Sequence, residues 1–165
     1  MQKIQHFAFK QDNPSLCLRL LTDAHVFDIS GGSGRKGAKV TALWDTGATV
    51  SAITPALAKK MNLVPFQRTK VVGVHSASIV DVARVSIGLP NTVIVEKVNV
   101  VICNLDQGFD LIIGMDIISL NDFSISNGEG KTLFSFVSPP LKNRTDLYKK
   151  AIALNKKNNF FKKIL

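Results

Sequence analysis

Apolar residues in this chain recur mostly with a period of two and are broken at short intervals by Gly, Pro, Asn and Asp, the pattern of short β-strands joined by turns. Residues 2 to 10 alternate Ile4, His6 and Ala8 against Phe7 and Phe9. Residues 15 to 29 set Leu16, Leu18 and Leu20 against Cys17, Arg19 and Leu21. Asp12-Asn13-Pro14 lies between them, so a hairpin or meander is predicted at the start. Val40 to Trp44 is a β-favouring run, and Val85–Ile87, Thr92–Val95 and Val98–Ile102 read as further strands, separated by Gly88-Leu89-Pro90-Asn91 and by Glu96-Lys97. Asp110-Leu111-Ile112-Ile113-Gly114 reads as a fully buried strand that stops on a glycine, whose bare backbone allows it to run close beside the loop at Asp45. Phe123–Ser126 and Thr132–Phe136, on either side of Asn127-Gly128-Glu129-Gly130, form a predicted hairpin.

Helical spacing is rarer. Thr54 as cap, Pro55 in the first turn and the run Ala56-Leu57-Ala58-Lys59-Lys60-Met61 predict a short helix with Leu57 and Met61 facing the core. Met115 to Leu120 predicts another. Past Ser138-Pro139-Pro140, Leu147, Ala151 and Leu154 share one helical face among lysines. The chain therefore divides into a domain over residues 1–140 and a C-terminal tail over 141–165.

Charge sharpens that division. The net charge is +9, but the tail alone holds eight basic residues against Asp146, leaving the domain nearly balanced. An electrostatic partner is then expected for the tail and no nucleic acid for the domain. Three readings fit the tail: a solvated helix or disordered arm, a basic amphipathic contact with an anionic membrane or nucleic acid, or a segment trimmed at Asn159-Phe160-Phe161-Lys162. No apolar run approaches the length of a spanning helix and the start has no apolar leader, so a cytoplasmic protein is expected. Cys17 and Cys103 are expected as buried free thiols, although one disulfide between them is formally possible. His6, His25 and His75 lack metal-ligand spacing, and neither metal nor cofactor is expected. The polar loop Ser30-Gly31-Gly32-Ser33-Gly34-Arg35-Lys36-Gly37 precedes no helix and lacks the Lys-Ser/Thr of a phosphate cradle, so it reads as a surface excursion.

Candidate chemistry concentrates in Leu43-Trp44-Asp45-Thr46-Gly47-Ala48-Thr49-Val50-Ser51-Ala52-Ile53. An apolar strand runs directly into a carboxylate on a tight loop. Gly47 lets the backbone turn and allows close approach, and the Thr46 hydroxyl can hold the loop by hydrogen bonding to backbone. Asp-Thr-Gly alone is an ordinary turn. The apolar residues before it, the alternation after it and the buried strand ending at Gly114 distinguish it.

These two stretches together resemble the retropepsin-like aspartic proteases, single-domain relatives of the retroviral enzymes, whose pattern is a hydrophobic pair, Asp-Thr-Gly-Ala/Ser, and later two hydrophobics and a Gly opening a short helix. The resemblance spans roughly Lys39 to Val137. It implies a mostly β fold, a closed β-barrel of the acid-protease type with one or two short helices, and peptide hydrolysis by a pair of aspartates. It makes Asp45 the catalytic residue, Thr46 and Gly47 the support of its loop, and Asp116 a helix-start residue. Between Lys70-Val71-Val72 and Ile79-Val80-Asp81-Val82 it places a flap, so Gly73, Val74, His75 and Ser76, with Ala48, are expected to touch substrate; on the residues alone the interval fits an ordinary exposed hairpin equally well. One Asp-Thr-Gly per chain requires a homodimer to complete the acid pair. Ala48 cannot donate a hydrogen bond toward the active carboxylate as Ser or Thr would, so an optimum from mildly acidic to neutral is expected.

Two other classes fit the same residues: a retropepsin-like dimerisation or peptide-binding module without significant turnover, and a membrane- or RNA-associated β-domain working through its basic tail.

Overall fold

The computed structural model describes residues 4–29, 37–72, 77–106 and 108–157. Alternating burial defines the strands. In β1 (Phe7–Asn13) Phe9 points inward, and in β2 (Leu20–Asp28) Thr22, Ala24 and Val26 do so. In β3 (Gly37–Trp44) the inward set is Ala38, Val40, Ala42 and Trp44. A two-residue strand β4 (Ala52–Ile53) follows, then α1 (Pro55–Lys60), β5 (Gln67–Val72), β6 (Ala77–Gly88) and β7 (Ile94–Ile102). The chain continues through β8 (Leu111–Ile113), α2 (Met115–Ile118), β9 (Asp122–Gly128), β10 (Lys131–Ser138) and α3 (Leu147–Lys157).

Seven strands form one sheet in the order β2-β3-β8-β4-β7-β6-β5, and a further pairing of β2 with β6 closes six of them into a barrel, with β5 carried on the outer edge of β6. At that closure the ring of Phe27 lies over Gly37 and Gly88, where a Cβ on either glycine would come within 2.6 Å and 2.9 Å of it. Val26, Ile53, Val85, Ile87, Val100, Leu111 and Ile113 fill the barrel and are fully buried. Burying apolar side chains on this scale is the main term holding such a domain together.

A second sheet, β1-β10-β9, covers one side. Its inner face brings Phe9, Phe123, Phe134 and Phe136 around Trp44, with ring centroids 4.9 Å apart for Trp44 and Phe136 and 5.1 Å for Trp44 and Phe134. The buried indole N–H is satisfied, donating to Thr22 Oγ1 at 3.0 Å, and Thr22 in turn donates to Gln11 Oε1 at 3.3 Å. This chain of hydrogen bonds ties β3 and β2 to β1.

The predicted hairpin at the start does not form. β1 pairs antiparallel with β10 near the other end of the domain (Phe9 with Phe136), while β2 pairs with β3 and β6. Phe9 belongs to the Trp44 cluster, and burial there outweighs pairing with the next strand in sequence. A predicted break is also absent, and two strand segments read separately are one. β6 runs unbroken from Ala77 to Gly88, and Glu96-Lys97 lies inside β7 as a bulge, with Lys97 at φ 57 and the β6–β7 register shifting between Val85 and Ile87. Cys17 and Cys103 are free but only half-buried, and both lie outside strands.

The helix predicted after the central loop is present: Thr54 Oγ1 accepts from Leu57 N at 3.2 Å, Pro55 occupies its first turn, and Leu57 and Met61 are buried. The β9–β10 hairpin is also as expected, turning at Glu129 and Gly130, both at positive φ. In the tail, Asp146 Oδ1 accepts from Lys149 N at 3.0 Å and starts α3, which has no buried residue. Among the described residues no helix is long and apolar enough to cross a membrane.

Candidate active site

β8 explains the position of the central loop. It lies between β3, to which it runs parallel (Trp44 opposite Ile113), and β4, to which it runs antiparallel (Ala52 opposite Ile112). Residues 45–51 leave one neighbour of β8 and return as the other, straddling its end. Asp45 N–H donates to Ile113 O at 3.0 Å, so the carboxylate-bearing residue is still held by the parallel ladder.

The close approach expected of Gly114 is present. A Cβ there would lie 2.8 Å from the carbonyl carbon and oxygen of Val50 and 2.9 Å from Ala48 O, so only a bare backbone fits. Next to it Met115 N–H donates to Ala48 O at 2.8 Å, and Asp116 N–H to Thr49 O at 3.2 Å. The first turn of α2 thus holds the descending half of the loop.

Asp116 completes that attachment. Its Oδ2 accepts from Ser51 N–H at 3.0 Å, and its Oδ1 accepts from the Ser51 hydroxyl at 2.8 Å and from Ile117 N–H at 3.1 Å. Ser51 Oγ itself accepts from Gly114 N–H at 3.1 Å and is fully buried. Ser51 had no sequence signal beyond its place in the loop, because its partner lies 65 residues away. A second brace runs from Asp110, whose carbonyl accepts from Thr54 N–H at 3.1 Å and whose carboxylate accepts from the Thr54 hydroxyl at 3.4 Å.

The ascending half of the loop is open. Asp45 is half-buried, and its Oδ1 accepts from Gly47 N–H at 2.8 Å. That bond orients the carboxylate, and its second oxygen has no hydrogen-bond partner among the described residues. Thr46 and Gly47 are exposed, and the Thr46 hydroxyl makes no hydrogen bond to the described residues of its own chain, in contrast to the loop-holding role its type allows. Ala48, half-buried, faces the adjoining groove.

That groove has a volume of about 470 Å³ and lies between the loop and β5. Val50, Ala52, Val71, Val101, Leu105 and Ile112 give it an apolar lining, and Lys70 and Cys103 also border it. Ile112 is half-exposed for this reason, so β8 is not buried on both sides as its sequence suggests. Burial raises the Cys103 thiol above its ordinary value. Sequence reasoning missed Cys103 as a groove residue, since it lies just past the end of β7. Gly73, Val74, His75 and Ser76 lie outside the described residues; the strands they connect, β5 and β6, form an antiparallel hairpin out to Val72 opposite Ala77. Among the described residues no group of three or more His, Cys, Asp or Glu is placed to hold a metal ion.

The profile of the aspartyl protease family matches residues 32–117, which include the loop, the groove strands, β8 and the first three residues of α2. No curated protein matches the sequence significantly. Among solved structures the fold is similar to a retropepsin-like aspartic protease from Rickettsia conorii, with a TM-score of 0.52 at 12% identity, covering 83% of this chain and 98% of that one. A protease of simian foamy virus aligns with a TM-score of 0.43 at 19% identity, over 61% of this chain and 92% of the viral one. The retroviral protease-like domain of Ddi1 from Leishmania major aligns with a TM-score of 0.39 at 16% identity, over 69% and 93%.

Proposed function

The chain belongs to the aspartyl protease family, and from that membership we propose that it is an aspartic endopeptidase whose catalytic pair forms only when two copies meet, each contributing Asp45. One Asp-Thr-Gly occurs per chain, so a single copy carries half of the required acid pair. The observation that supports this reading most is the asymmetry of the loop. β8, Ser51, Asp116 and α2 hold it on one side, while Asp45, Thr46 and Gly47 face outward beside an apolar groove.

Two such loops meeting about a two-fold axis bring two carboxylates within about 3 Å, where they cannot both ionise and therefore share one proton. The ionised member takes a proton from water as the water oxygen adds to the scissile carbonyl carbon. The protonated member gives its proton to the carbonyl oxygen. Collapse of the resulting tetrahedral adduct breaks the C–N bond, the amine leaving with a proton returned from the pair. Thr46 hydrogen-bonds across the axis and Gly47 lets the two loops approach. The apolar groove receives a substrate side chain against Ala48, and Gly73, Val74, His75 and Ser76 are proposed to contact substrate as well.

Asp45→Asn tests the assignment. Cleavage of a peptide library is expected to fall by about 10²–10⁴-fold, with circular dichroism and sedimentation velocity unchanged, and the products of the unaltered chain are expected to end in apolar residues. Undiminished cleavage by the variant would remove Asp45 from the chemistry.

A further inference from the structure

Helix α3 has a different character from the rest of the molecule. It has no buried residue, and Leu147, Tyr148 and Leu154 are 68%, 75% and 59% exposed. At about 100° per residue, Leu147, Ala151 and Leu154 stack along one side with Tyr148 and Ile152 beside them, a stripe interrupted only by Asn155. Lys149, Lys150, Lys156 and Lys157 gather on the opposite arc. Lys142 and Arg144 precede the helix, and seven of the nine net positive charges belong to residues 141–165.

We propose that α3 docks the protein on an anionic lipid surface, lying in the plane of the interface with its Leu147–Ala151–Leu154 stripe in the acyl boundary and its lysines among the headgroups. The charge pattern selects this occupant. A nucleic acid would use the cations through its phosphates but leave an apolar stripe in water. A second copy of the helix would cover the stripe but leave the lysines, on the far arc, without a counter-charge. An anionic bilayer takes both faces together, since lysine stems can lie along apolar surface while their ammonium groups remain at the phosphates. The helix is about 16 Å long, so it lies on the surface and does not cross, and with few large apolar side chains its attachment is reversible. The inference rests on α3 alone and is independent of the chemistry at Asp45.

The test is co-sedimentation of the full chain with vesicles of phosphatidylcholine containing about 30 mol% phosphatidylserine, compared with phosphatidylcholine alone. Binding is expected with the anionic vesicles and to be at least about tenfold weaker with the neutral ones. The pairs Leu147→Ser with Leu154→Ser and Lys150→Glu with Lys157→Glu are each expected to weaken it about tenfold. Leu147 borders a groove with Phe123, Ile125 and Val137 of the second sheet, so an unchanged near-ultraviolet signal of Trp44 is required of each variant as the check that its fold is kept. Equal sedimentation with both vesicles would overturn the proposal. So would undiminished binding by the two-serine variant, which would make α3 a simple polycation, or tighter binding to a single-stranded RNA than to the anionic vesicles.

Discussion

At the scale of single residues, the Asp116 carboxylate is the group on which the shape of the loop most depends. It accepts three hydrogen bonds, two of them from Ser51, on the opposite side of the β8 end. Asp116→Asn keeps the size but replaces one acceptor oxygen with an NH₂ facing donors, leaving at least one of them unmatched. A loss of about 1–3 kcal/mol is expected, read as a lower midpoint of urea unfolding. Cys103 offers a second test in the groove. Burial raises its pKa above the ordinary thiol value of 9.0, so the folded state holds its proton where the unfolded chain begins to lose it. The stability this group contributes is complete below the unfolded value and declines as pH rises through it. At about pH 8 Cys103 is expected to alkylate more slowly than a free thiol, which intact mass after iodoacetamide treatment measures.

At the scale of elements, β3 passes under the second sheet, and its last residue, Trp44, is packed against Phe134 and Phe136. The carboxylate that follows inherits its position from that packing. Phe134→Ala empties a site that is 1% exposed, and a loss of about 3–5 kcal/mol is expected, seen as a lower melting temperature together with reduced cleavage. Elements made from neighbouring residues were legible in the sequence: the capped helix α1, the β9–β10 hairpin and the alternation within β10. Partners distant in the chain were not. Alternation marks Phe9 as inward-facing but carries no information on which sheet receives it, and β1 joined β10. Nor does a charged pair such as Glu96-Lys97 end a strand when a bulge absorbs the extra residue. At the site, Gly114 was readable because a glycine after a buried strand implies close backbone approach, whereas Ser51 was silent because its role exists only opposite Asp116.

At the scale of the whole molecule, the proposed reaction belongs to two chains. Specific activity is therefore expected to rise with protein concentration until the dimer saturates, and the same concentration should mark the monomer–dimer boundary in analytical ultracentrifugation. A constant specific activity down to concentrations at which only monomer sediments would contradict the shared pair. Charge is segregated on the same scale: the domain is close to neutral and the C-terminal tail strongly basic, so added salt should leave peptide cleavage largely unaltered while weakening any contact made by α3.

The placement of β8 between β3 and β4 also bears on the order of events during synthesis. The strands that flank it end at Trp44 and Ile53, yet the three residues that join them come only at Leu111–Ile113, and the carboxylate that braces the loop comes at Asp116. A nascent chain still short of that point has Asp45 but no platform beneath it, and strand pairing over such a separation is slow to form. Chains that end before residue 116 are accordingly expected to lack the braced loop, and with it the cleavage proposed for Asp45.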